Sequence, residues 1–108
     1  MCVNHGLLSR HDRNPQKRDF DKWLLGLRDR AVRARIEARI VRMALGNPGD
    51  VKPVRNGIHE MRIDYGPGYR VYFLQRGQTI IVLLAGGDKR TQDADINRAI
   101  EIAHDWKV

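Results

Sequence analysis

Arg62, Arg70 and Lys89 are the residues whose types and spacing could do chemistry. They belong to one stretch, Gly57 to Lys89. Ile58–Asp64 alternates, with Met61 and Ile63 apolar against Glu60, Arg62 and Asp64, so the charged trio projects to one side of a strand. Tyr65-Gly66-Pro67-Gly68 is a turn, because Gly tolerates positive φ and Pro fixes its own. Tyr69–Leu74 resumes in β-branched and aromatic residues, with Arg70 and Tyr72 opposite Tyr69, Val71 and Phe73. If Val71 and Phe73 share a core with Met61 and Ile63, Arg70 lands beside Arg62. Arg76-Gly77-Gln78 turns again. Thr79–Ala85 is almost wholly apolar and suits a central strand buried on both faces, with Lys89 leaving close by. Two guanidiniums and an ammonium converging on a concave face would hold phosphates and could stabilise a phosphorane-like transition state. The competing reading is the solvated polar face of a half-exposed sheet, with Glu60 and Asp64 making surface ion pairs of little energetic weight. Pattern alone favours that second reading.

Other chemistries find no set of residues. His5, His11, His59 and His104 are scattered, and no Cys or carboxylate accompanies them at metal-ligand spacing. Ser9 is the only serine and Cys2 the only cysteine, so neither a hydrolase triad nor an internal disulfide is expected. Gly86-Gly87-Asp88-Lys89 does not have the spacing of a phosphate-cradling loop. No metal and no cofactor is expected.

The elements that must position the cations follow from periodicity. Asp19 is suited to cap a helix, and Phe20, Trp23, Leu24 and Leu27 line one helical face. Arg28-Asp29-Arg30 reads as a break before a second helix, although one bent helix also fits. Ile36, Ile40, Met43 and Ala44 form the apolar stripe of the second run, and Arg35, Arg39 and Arg42 form a basic stripe. That basic stripe is either a solvated exterior or a set of phosphate contacts. Gly46-Asn47-Pro48-Gly49 ends the helix, and Asp50–Asn56 reads as a connector. After the three strands, Gly86-Gly87 lets the backbone leave the sheet. Thr91 is a candidate N-cap for a last helix carrying Ile96, Ala99, Ile100 and Ala103, onto which Trp106 is expected to fold back. Residues 1–18 read as an irregular basic segment or, over Val3–Leu8, a short edge strand. The expected fold is α+β: two N-terminal helices packed on an antiparallel sheet of three to four strands, then a C-terminal helix, in a single domain over 19–108.

The 108 residues carry a formal net charge of +7, with a pI near 10.2. That surface favours a nucleic acid or an acidic protein as partner, and charge alone does not choose between them. No apolar run approaches the roughly 20 residues of a membrane span, and the N-terminus has no signal-peptide stretch. No membrane association and a cytoplasmic setting are expected.

Several segments, taken in order, resemble the RelE/ParE toxin superfamily, and within it the HigB-like addiction module killer proteins. They are Phe20-x-x-Trp-Leu, Arg35-Ile36-x-x-Arg39-Ile40, Gly46 to Lys52, Glu60-Met61-Arg62-Ile63, Gly66 to Phe73, and Gly86-Gly87-Asp88-Lys89-x-x-Gln92-x-x-Asp95-Ile96. The resemblance runs from about Asp19 to the C-terminus. It implies the toxin of a type II toxin–antitoxin system, neutralised by a cognate antitoxin, acidic or of helix-turn-helix type, that covers the basic groove. RelE-like members cleave mRNA on the ribosome without metal, the 2′-hydroxyl attacking the adjacent phosphate. The resemblance assigns Arg70 as phosphate and transition-state stabiliser, with Arg62 and Lys89 as accompanying cations. It leaves Glu60 as either proton acceptor or ion-pair partner. Lys52 and the basic stripe of Arg35, Arg39 and Arg42 are candidates for RNA contact. One feature departs from the pattern: ribosome-dependent relatives often carry a tyrosine in the C-terminal helix, and this chain has none after Tyr72, with Asp95 in that neighbourhood. ParE-like members lack the nuclease set and inhibit DNA gyrase. Three functions therefore stand in order: an endoribonuclease toxin, a gyrase-inhibiting toxin, and a basic RNA-binding module.

Overall fold

Asp29 separates the first two helices. Its Oδ1 accepts a hydrogen bond from the Ala31 N–H at 2.9 Å, which caps the second helix. In the computed structural model, which describes residues 2–4, 7–8, 19–77 and 80–105, α1 spans Asp19–Gly26 and α2 spans Arg30–Ala44. The break at Asp29 is therefore real, and α1 and α2 are two helices. Gly46, at φ 97°, closes α2 in the left-handed region, and the Asn47 N–H returns to the Arg42 carbonyl at 2.8 Å. Asp19 stands inside the first turn of α1, where Arg98 Nε donates to its Oδ2 at 2.6 Å.

The meander forms as the alternation requires, with β4 at His59–Ile63, β5 at Tyr69–Arg76 and β6 at Ile80–Asp88. It belongs to an antiparallel sheet in the order β2-β1-β6-β5-β4-β3. The short strands β1 (Cys2–Asn4) and β2 (Leu7–Leu8) extend the β6 side, and β3 (Val51–Pro53) extends the other. The irregular stretch at 9–18, the beginning of the last strand at Thr79 and the fold-back of Trp106 lie outside the described residues.

Two local expectations need correction. Asp50–Asn56 is not wholly a connector, since Val51, Lys52 and Pro53 pair with Met61, Glu60 and His59. A proline reads as a breaker in sequence. On an outermost strand its missing N–H costs no ladder bond, so the edge accepts it. Gly86-Gly87 is not an exit, because β6 runs through both, pairing Gly86 with Val71 and Gly87 with Arg70. The glycines serve close approach instead. A Cβ on Gly86 would lie 2.2 Å from the Trp23 ring, and one on Gly87 would lie 1.8 Å from Asp95 Oδ2.

Both faces of the sheet are covered. Phe20, Ile36 and Ile40 from α1 and α2 pack on Met61, Val71 and Phe73. On the other face, Ile96, Ala99 and Ile102 of α3 (Gln92–Asp105) pack on Leu74, Val82 and Leu84. A bulge lets this happen late in β6: Tyr72 pairs with Ala85 but Phe73 pairs with Leu83, so Leu84 is the extra residue. The architecture is α+β, two helices, an antiparallel sheet and a C-terminal helix. Thr91 immediately precedes α3, as the candidate cap should, and a 3₁₀ turn at Lys89–Thr91 leads into it, capped by Asp88, which accepts from the Arg90 N–H at 2.8 Å. No described helix is long and apolar enough to cross a membrane.

Candidate functional site

The register of β4 on β5 sets the site. Arg62 pairs directly with Arg70, and Glu60 with Tyr72, one step further along the same face. β3 adds Lys52 beside Glu60, and β6 sets Gly87 beside Arg70 and Ala85 beside Tyr72. Two rows thus cross the sheet, one of Lys52, Glu60, Tyr72 and Ala85, the next of Arg62, Arg70 and Gly87. With no side chain on Gly87, the Arg70 side has room for the Asp95 carboxylate above the strand.

This face is not a solvated exterior. Glu60 is 0% exposed, and the Arg70 side chain is 11% exposed. Arg70 Nη1 donates to Glu60 Oε1 at 2.9 Å, and the Tyr72 hydroxyl donates to Oε2 at 3.0 Å. Gln92, the first residue of α3, donates from Nε2 to the same Oε2 at 2.8 Å. Lys52 Nζ lies 3.9 Å from Oε1. A buried carboxylate without partners is costly, and the ring of donors is what allows Glu60 to sit here. Burial and the neighbouring Glu60 push the Tyr72 hydroxyl far above its usual range, so it stays a donor.

Outside this buried knot the structure opens a cleft of about 290 Å³, lined by Asp50, Arg62, Asp64, Tyr69, Arg70 and Lys89. The three cations singled out by spacing therefore meet in one hollow. Arg62 is partly engaged there: its Nη2 lies 3.3 Å from Asp50 Oδ1 and its Nε 3.3 Å from Oδ2. Lys89 is exposed, and its Cβ packs 3.6 Å from where Gly68 would carry one. Arg70 Nε is buried and has no hydrogen-bond partner. Arg62 Nε is in the same state, so the two facing guanidiniums each keep one buried N–H unsatisfied.

The basic stripe of α2 splits by role. Arg39 Nη1 donates to the Arg62 carbonyl at 2.8 Å and Nη2 to the Pro48 carbonyl at 3.1 Å, tying α2 to β4 and to the 46–49 loop. Arg35 lies 4.2 Å from the centre of the Tyr65 ring, a cation–π contact. With Arg42 these two line a second hollow of about 290 Å³, which meets the first at Ile63 and Asp64.

At the start of α3, the Thr91 hydroxyl donates to Asp95 Oδ2, and burial pushes the Asp95 carboxyl up from its ordinary value. The Arg90 side-chain hydrogen bond holds Asp88 below its own. Among the described residues, no three His, Cys, Asp or Glu side chains cluster closely enough to hold a metal ion. Sequence reasoning missed Asp50, Tyr72 and Gln92. Alternation puts Tyr72 on the face of Glu60, which is a usable signal. Gln92 falls within a family-like segment, but its contact depends on how α3 docks.

The family described as "Phage derived protein Gp49-like (DUF891)" matches residues 22–107. The chain belongs to the Gp49-like family. This family is associated with addiction-module toxins. An uncharacterized protein of Haemophilus influenzae is 49% identical to this Gp49-like chain over 86 residues, covering 80% of the chain and 87% of that protein. No solved structure matches the chain. The matched segment contains Arg62, Arg70, Lys89 and the whole buried knot around Glu60.

Proposed function

We propose that this Gp49-like protein is a RelE/ParE-type toxin of a type II toxin–antitoxin pair, acting as a metal-independent endoribonuclease on translated mRNA in the cytoplasm. One observation carries the reading: Arg62 and Arg70 face each other across a strand pair, and Lys89 closes the same cleft. A phosphodiester seated there would give non-bridging oxygens to Arg70 and Lys89 and draw Arg62 away from Asp50. In the reaction the 2′-hydroxyl attacks the adjacent phosphorus and loses its proton. The P–O5′ bond breaks, and the leaving oxygen takes a proton. The products are a 2′,3′-cyclic phosphate and a 5′-hydroxyl. Charge builds on the equatorial oxygens in the transition state, where fixed guanidiniums act most strongly. Arg35 and Arg42, exposed beside the adjoining hollow, would guide the flanking strand, with Lys52 at the β3 edge and Arg39 as a scaffold under them. A cognate antitoxin, acidic or of helix-turn-helix type, would mask the cleft.

A second reading has its own observation. Asp95, bonded to Thr91 at the start of α3, supplies neither an aromatic ring for stacking nor a cation, which favours a ParE-like inhibitor of DNA gyrase. Induced expression with mapping of mRNA ends, run beside a plasmid-supercoiling assay, separates the two. New ends inside translated frames are expected. Relaxed plasmid without such ends would replace the nuclease with the gyrase inhibitor. Arg70→Ala should abolish both the new ends and growth arrest while leaving antitoxin binding intact.

A further inference from the structure

Glu60 is the only buried charged side chain among the described residues, and it lies directly behind Arg70. A general base must come within about 2.6–3.2 Å of the proton that it takes. Glu60 offers no such approach. It has no exposed surface, Oε1 is occupied by Arg70 with Lys52 near, and Oε2 accepts from both Tyr72 and Gln92. A carboxylate has about four acceptor directions over its two oxygens; here three protein donors take three of them, and Lys52 Nζ stands 3.9 Å from Oε1 on the remaining side.

We infer that Glu60 is a buried counter-ion that positions Arg70, and that Tyr72 and Gln92 are positioning residues acting through it. Glu60 grips one Nη of Arg70, and the guanidinium is a rigid plane, so fixing that corner fixes the direction of the remaining N–H groups. Tyr72, on the strand of Arg70, and Gln92, on another element, stop the carboxylate from turning. The Gln92 bond also ties the start of α3 to the aim of Arg70. The inference deepens the nuclease reading and rests on it for its catalytic consequences.

Two substitutions probe the knot with little change in shape. Tyr72→Phe removes one hydroxyl, and Gln92→Ala removes one amide from a partly buried helix start. Each should lower kcat for mRNA cleavage on translating ribosomes by about ten- to a hundredfold, the scale of a misaligned catalytic group, with KM nearly unchanged. The decisive readout is a double-mutant cycle. If these residues act through Arg70, adding Tyr72→Phe, Gln92→Ala or Glu60→Gln to Arg70→Lys, which keeps the charge and measurable cleavage but not the planar fork, should cost nothing further. A further loss at Glu60→Gln would make Glu60 a proton acceptor in its own right and overturn the inference. So would unchanged kcat in both single variants.

A readout that does not need cleavage keeps the two ideas separable. Arg70 guanidinium signals in the NMR spectrum of the folded wild-type protein should show slow rotation, with its Nη groups distinct, and should average in Tyr72→Phe and in Gln92→Ala. If wild type yields no new mRNA ends yet shows this change, the nuclease reading fails and the positioning stands. If the signals are already averaged in wild type, or do not respond, the positioning fails whatever the protein cleaves.

Discussion

Asp95 and Glu60 are both carboxylates withdrawn from water beside the same strand, and they are satisfied very differently. Glu60 meets two cations, a hydroxyl and an amide, whereas Asp95 has a hydroxyl from Thr91 and the nearby negative charge of Asp88. Burial therefore raises the proton affinity of Asp95. The sign of the pH effect follows. A carboxyl whose value is raised on folding contributes stability that is full below the unfolded carboxylate range and is lost as pH rises through the folded value. At neutral pH the wild type carries that penalty. Asp95→Asn, which can still accept from Thr91, should unfold at a higher temperature than wild type at pH 7. The gap should close as pH falls to about 4, near the ordinary carboxylate value. Melting curves at both pH values check it, and an equal gap at both would exclude an ionisation effect. The neighbouring pair of Arg62 and Arg70 is legible in the bare sequence, because a period of two and a short turn fix which residues face one another. The burial of Glu60 is not. Glutamate in an alternating strand reads as solvent-facing unless one knows that α3 will lie over it.

At the scale of elements, α2 is held to the sheet by more than its apolar stripe. Arg39 bridges to two backbone carbonyls, one on β4 and one in the 46–49 loop. Arg42, on the same basic stripe, is exposed. Arg39→Ala should lower unfolding free energy by roughly 1.5–3 kcal/mol, the range for hydrogen bonds from a charged group. Arg42→Ala should stay within about 0.5 kcal/mol. Urea denaturation of the two variants tests this, and similar losses in both would remove Arg39 from its bridging role. Three arginines spaced as i, i+4 and i+7 look alike in sequence. What separates them is the path of the chain after the helix, and the positive φ of Gly49 (73°) beside the Arg39 guanidinium belongs to that path. The helices, their break and the three long strands were readable from period and turn residues. The edge strand with its proline was not, since it exists only through its pairing with β4.

For the molecule as a whole, the net charge of +7 includes six cations that line two adjoining hollows. The cleft holding Arg62, Arg70 and Lys89 and the hollow holding Arg35, Arg39 and Arg42 adjoin along Ile63 and Asp64. A strand crossing both would release counterions at each phosphate neutralised. Affinity for a short single-stranded RNA should therefore fall linearly with the logarithm of salt concentration. Replacing Arg35 and Arg42 by Gln should reduce the slope by about 0.7 for each phosphate that is no longer neutralised. Binding measured across a salt series provides the check, and an unchanged slope would turn the α2 stripe back into an ordinary charged exterior. Net charge predicts a polyanionic or acidic partner, but the division of that charge between two adjoining hollows exists only after α2 and the hairpin are packed together.

The adjacent glycines of β6 have a consequence for how such a chain can change over generations. Gly86 gives its space to Trp23 on one face and Gly87 to Asp95 on the other. Neither position can acquire a side chain alone while its visitor remains. A lineage that replaces Gly87 must first, or together, shorten the residue matching Asp95, and one that replaces Gly86 must do the same for Trp23. The two sites should drift as linked pairs, each tying a helix to one point of the same strand, and relatives that break one pair should still keep the other.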